Sequence, residues 1–154
     1  MDTIKIQTEA MKALQKKQTV RWYNTGDVVY LLFSYYTIFA IPKRECYLNL
    51  TGESGEGLRR IVDDALENKI AAQWKGSIKV LNDGVKALQL EPADVTLTDA
   101  PYVYVDEKPL KYFGNAKGLR FTVKNKVSPV AVYNANSGAF LGVIAPIRME
   151  EANE

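Results

Sequence analysis

Apolar and polar positions alternate with a period of two through most of the chain, and short polar turns interrupt the alternation. TVRWY (19 to 23), DVVYLLF (27 to 33) and YYTIFAI (35 to 41) are rich in β-branched and aromatic residues, and Asn24-Thr25-Gly26 marks the first turn between them. ECYLNL (45 to 50) reads as a further strand. SIKVL and VKALQLE flank Asn82-Asp83-Gly84, a strong hairpin signal. VTLT, YVYV, LRFTV and the closing pair PVAVY and FLGVIAP complete the set of strands.

Two segments carry a helical period instead. In LRRIVDDALENK, Leu58, Ile61, Val62, Ala65 and Leu66 form one apolar stripe. Near the start, Thr3 to Gln7 reads as a short strand, and Thr8 as the N-cap of a helix to about Lys17. Ala10, Met11 and Leu14 share one face of that helix, and Lys12 and Lys16 stand together on another. A third, short helix is predicted in DEKPLKYFGNAKG, with Pro109 in its first turn. The pattern predicts an α+β fold, mainly antiparallel sheet with two or three helices. At 154 residues the chain has material for a single domain, 1–154.

Composition narrows the chemistry. There is no histidine, which removes the usual general base and the Ser-His and Cys-His nucleophile pairs. Cys46 is alone, so neither an internal disulfide nor a thiolate zinc cluster is available, and a cytoplasmic setting is expected. The 14-residue apolar run 28 to 41 is shorter than a spanning helix and rich in strand formers, so no membrane association is expected. TGESGEG, between a strand and a helix, has the order of a phosphate-binding loop, but Leu58 and Arg59 stand where Lys and Ser or Thr are required. Asp63, Asp64 and Glu67 offer carboxylates to a hard metal, although their position on the polar side of a helix fits plain solvation better. The reading is of a non-enzymatic protein with no cofactor and no metal.

Net charge is only +2, but it is uneven: bases crowd the segment up to Arg21, and the last five residues, EEANE, are acidic. Lys12 and Lys16, with Lys17 nearby, could meet nucleic-acid phosphates, and Trp22, Tyr23, Tyr30, Tyr35, Tyr36 and Phe39 could stack on bases. A solvated helix face and a buried sheet face are the plainer accounts of the same residues.

GLRFTVKNKVSPVAVYNANSGAFLGVIAPIRM, residues 118 to 149, resembles the end of a bacterial DNA polymerase III sliding clamp, the β subunit. Order and spacing agree through Ser128-Pro129, an apolar strand, a polar turn, and a last strand ending in apolar-x-Pro-apolar-Arg. Ala145 stands in the place of the family's pocket methionine. The resemblance implies a clamp-like domain of two strand-helix-three-strand units, segments 4 to 41 and 103 to 147, with 43–100 as an insertion between them. It further implies contact with double-stranded DNA through Lys12, Lys16, Lys17, Lys111 and Lys117. A pocket for replication-protein peptides would lie at Val143, Ala145, Pro146, Ile147 and Arg148, and assembly into a homo-oligomer would be natural. A second reading, from another class, is a small mobile-element inhibitor or adaptor that binds a host protein through its acidic surface without touching DNA.

Overall fold

The computed structural model describes residues 1–34, 36–50, 54, 57–93 and 102–149. The elements in chain order are α1 (Thr3–Gln15), β1 (Arg21–Asn24), β2 (Val28–Leu32), β3 (Thr37–Pro42), α2 (Leu58–Leu66), β4 (Ile70–Val80), β5 (Lys86–Pro92), β6 (Val103–Asp106), α3 (Glu107–Leu110), β7 (Leu119–Val123), β8 (Val130–Asn134) and β9 (Phe140–Ile144). The nine strands form one antiparallel sheet in the order β1-β2-β3-β9-β8-β7-β4-β5-β6. The fold is thus α+β, as the alternation predicts. Segment 43–100 places β4 and β5 within this sheet, between β7 and β6. VTLT, Tyr35, most of the Gly-rich loop and the acidic tail lie outside the described residues.

Helices cover both faces of the sheet. Ile6, Ala10 and Ala13 of α1, with Leu110 and Phe113, pack on Phe39, Ile41, Leu90, Val105 and Phe121 in the larger core. Leu58, Val62 and Ala65 of α2 pack on Ile38, Ala131 and Val143 on the opposite side. Neighbouring strand residues such as Ile38 and Phe39 therefore enter different cores, as a two-residue period requires.

Three local expectations are corrected. Residues 3 to 7 are not a strand: α1 begins at Thr3, and Asp2 caps it by accepting from the Lys5 N–H at 3.0 Å. Thr8 lies inside the helix and donates to the Ile4 carbonyl at 2.8 Å. The alternation of IKIQ is too short to compete with the spacing of Thr3, Ile6, Gln7, Ala10 and Ala13, all buried on one helix face.

Residues 45 to 50 are not a strand either. Lys43–Glu45 is a 3₁₀ turn, and the chain after it is held by a helix side chain instead of a strand partner. Fully buried Gln7 donates to the carbonyls of Thr3 at 3.0 Å and Glu45 at 2.8 Å. Its Oε1 accepts from the N–H groups of Tyr47 at 2.8 Å and Leu48 at 3.3 Å.

The closing strand breaks its own alternation. Val132 pairs with Gly142 and Tyr133 with Phe140, so Leu141 is an extra residue, a β-bulge. Leu141 joins Ile144 in the larger core, and Phe140 packs with Val143 on the α2 side, whereas strict alternation would set Leu141 with Val143. Gly142 has φ +154°, and a Cβ there would collide with the Ile38 carbonyl and the Phe113 ring.

Candidate nucleic-acid interface

At 100° per residue, Lys5 and Lys12 of α1 and its C-cap residue Lys16 fall within about 40° of one another, away from the buried face of the helix. Asp106 caps α3, accepting from the Lys108 N–H at 2.9 Å, and this short helix presents Lys108 and Lys111 on the same side of the sheet as α1. Tyr112 joins the two helices. Its ring packs edge-on against Phe39, with centroids 5.7 Å apart, and the Lys5 Nζ stands 5.6 Å from its centroid.

Two clefts meet at this ring. One, of about 230 Å³, is lined by Lys5, Lys108, Lys111 and Tyr112. The other, of about 210 Å³, holds Lys12, Lys16, Glu9, Phe33 and Tyr112 among its walls. The surface thus carries five lysines, with Glu9 and Glu107 beside them and Asp83 and Asp106 in a further cleft shared with Lys108 and Lys111. Glu9 lies 3.4 Å from Lys12, and Glu107 lies 3.2 Å from Lys111. In both pairs the lysine is exposed and the glutamate half-buried, on a helix surface where such contacts are weak and yield to a stronger anion. All five lysines are exposed, and from Lys5 to Lys16 the helix spans about 16 Å.

The other lysines expected at such a surface are placed differently. Lys17 lies beyond α1 at φ +57°, in the left-handed stop of the helix, where Gln18 N–H donates to the Ala13 carbonyl at 2.9 Å. It no longer follows the helical rotation that aligns Lys12 and Lys16, and it lines neither cleft. Lys117 sits in a 3₁₀ turn, its N–H bonded to Asn115 Oδ1 at 3.0 Å, and it also lines neither cleft. Of the five lysines named from sequence, Lys12, Lys16 and Lys111 are brought together. Lys5, Lys108 and Tyr112 were missed. Once α1 is known to start at Thr3, the seven-residue spacing of Lys5 and Lys12 is the signal that finds the first of them.

The residues named for a peptide pocket do not form one surface patch. Val143 is buried under α2 in a strand flanked by β3 and β8. The Ala145 N–H donates to the Tyr36 carbonyl at 3.3 Å, and the Ile147 N–H to the Tyr104 carbonyl at 2.7 Å, so the chain beyond β9 is tied down on both sides of Pro146. Ala145, Pro146 and Ile147 are half-buried, and Arg148 is exposed.

On the α2 face, Asp63 pairs with Arg59 at 3.6 Å, and the Tyr30 hydroxyl is pushed above its usual range, first by burial and then by the charge of Asp63 and by Tyr23. Among the other aromatics named for stacking, Phe39 is buried, Trp22 and Tyr23 are half-buried, and Tyr36 is exposed. A larger cleft, about 800 Å³, opens at the end of α2, where Asp64 and Glu67 face Lys69 and Lys124 without a dominant sign of charge. Among the described residues, no group of three or more Cys, Asp or Glu side chains is placed to hold a metal ion, and no helix is long and apolar enough to cross a membrane. No protein-family model, curated protein or solved structure matches this chain.

Proposed function

We propose that this protein is a non-enzymatic binding protein of the sliding-clamp kind that its C-terminal segment resembles, and that it holds the phosphates of double-stranded DNA on the α1–α3 face. One observation carries the reading: lysines from two helices about 100 residues apart in sequence converge on Tyr112. Lysines on rigid helices bind polyphosphate through charge alone, and they outnumber Gln18 and Ser34, the neutral polar side chains of the second cleft, so phosphate contact dominates. The contact is therefore independent of sequence.

Fluorescence anisotropy with a labelled duplex tests it. Contact with three to four phosphates predicts a log affinity that falls against log salt with a slope of about −3 to −4. Changing Lys5, Lys12 and Lys108 together to Glu abolishes binding, whereas Lys17→Glu and Lys117→Glu together leave most of it. No binding at low salt, or equal losses in the two variants, refutes the reading.

The adaptor reading draws on a different part of α1. Ile4 is 68% exposed, and Met11 and Leu14 are exposed beside it, an apolar strip suited to a protein partner. Ile4→Glu with Met11→Glu, which leaves the lysines intact, separates the two: DNA binding persists in that variant if the lysine face is the working surface.

A further inference from the structure

The sheet carries a second aromatic surface on the face opposite the lysines. Tyr23 of β1 stands opposite Tyr30 of β2, and Tyr30 opposite Ala40 of β3. Across the bulge of β9, Phe140 stands opposite Tyr133 of β8, and Tyr133 opposite Arg120 of β7. In the sheet order the two ring pairs lie on one face, on β1–β2 and on β9–β8, with Ala40 of β3 between them, so that with Arg120 the set reaches across six strands, roughly 24 Å at about 4.8 Å per strand. α2 packs on the same face, over Ile38, Val143 and Ala131, and the four rings border that contact.

The rings are ordered in pairs. Tyr23 and Tyr30 lie nearly parallel with centroids 6.4 Å apart, and Tyr133 and Phe140 are tilted with centroids 5.6 Å apart. All four rings are only partly buried. An arginine stands over each end: the Arg59 guanidinium is 5.7 Å from the Tyr23 centroid, and that of Arg120 is 5.3 Å from the Tyr133 centroid. Asp63 holds Arg59 from the next turn of α2, and the Arg59 Nη1 also donates to the Tyr23 hydroxyl at 3.3 Å.

We infer that this row is a binding platform for single-stranded nucleic acid, with unpaired bases stacking on the rings and the backbone phosphates meeting Arg59 and Arg120. The occupant follows from complementary chemistry. Half-buried aromatic faces in a line suit a succession of flat, apolar bases, and an arginine at each end suits the negative charge that links them. A duplex, with its bases already stacked on one another, has no free faces to offer this row. An apolar peptide would gain from the rings but would offer no counter-charge to Arg120, whereas Arg59 is already paired with Asp63. The surface is separate from the lysine face, and the inference does not depend on the duplex reading.

The test is anisotropy with a labelled oligothymidylate of about eight nucleotides, a length within the range known for compact single-strand sites. The parent protein binds it, and unlabelled duplex of equal length competes poorly. Tyr30→Ala and Tyr133→Ala each weaken binding by about 5- to 150-fold, the range for loss of one stacked base. Arg120→Glu, an exposed position whose loss leaves both cores intact, weakens it as well, which keeps the test decisive if a tyrosine variant misfolds. The Lys5, Lys12, Lys108 charge-reversal variant retains most of the affinity for the single strand. No binding by the parent at low salt overturns the inference, as does parent-like affinity in folded Tyr133→Ala and Arg120→Glu, or equal competition by duplex.

Discussion

Among the described glycines, Gly142 leaves the least room for a side chain, and replacing it with Ala separates two costs that usually arrive together. Its φ of +154° belongs to a region that L side chains rarely adopt, worth about 1–3 kcal/mol. A Cβ would in addition strike the Ile38 carbonyl and come within 2.8 Å of the Phe113 ring, which is itself fully buried. Overpacking of that kind costs about 1–3 kcal/mol more, because neither a sheet backbone nor a wedged ring can move freely. Gly142→Ala should therefore lose about 2–6 kcal/mol, a large part of the roughly 5–15 kcal/mol that holds a domain folded. At about 2 kcal/mol per molar urea, a 4 kcal/mol loss moves the unfolding midpoint down by about 2 M. Gly114 supplies the control: its φ is +133°, and a Cβ there meets nothing within 4 Å. Gly114→Ala bears the backbone cost alone, and the gain from stiffening the unfolded chain is common to both variants. Urea unfolding of the two side by side isolates the collision. A Gly142→Ala variant no less stable than Gly114→Ala would refute the packing argument.

Two further outcomes are expected. Gln7→Leu removes the partners of the Tyr47 and Leu48 N–H groups and of the Glu45 carbonyl, and should cost about 2–4 kcal/mol; faster hydrogen exchange at Tyr47 and Leu48 identifies the cause, and unchanged exchange there refutes it. Tyr30 has a hydroxyl pKa raised above 10.0 in the folded state, so its stabilising contribution is complete below pH 10 and is lost as pH climbs through the folded value; urea unfolding of the parent should weaken more steeply above pH 10 than that of Tyr30→Phe, and parallel curves would rule this out.

Most strands were legible because each faces a core on at least one side, which imposes a two-residue period that survives without knowledge of the partner. The same holds for α2, whose stripe from Leu58 to Ala65 meets one patch of sheet. Residues 45 to 50 carry the composition of a strand and still do not form one, because Gln7, some 40 positions away, supplies the hydrogen bonds a neighbouring strand would have given. The candidate sites divide along the same line. Lys12 and Lys16 lie four apart on one helix, and helical geometry alone sets them side by side.

Local periodicity thus specified the α+β class, the succession of strands, and the pairing of nearby lysines, since each depends on forces acting within a few residues. The meeting of Lys5, Lys108 and Tyr112, the aromatic row from Tyr23 to Arg120, and the bulge that turns Leu141 inward depend on which strands become neighbours. That choice belongs to the packing of the whole sheet: β3 finds β9 across about 100 residues, and the contacts that reward the pairing exist only after both cores have closed around it.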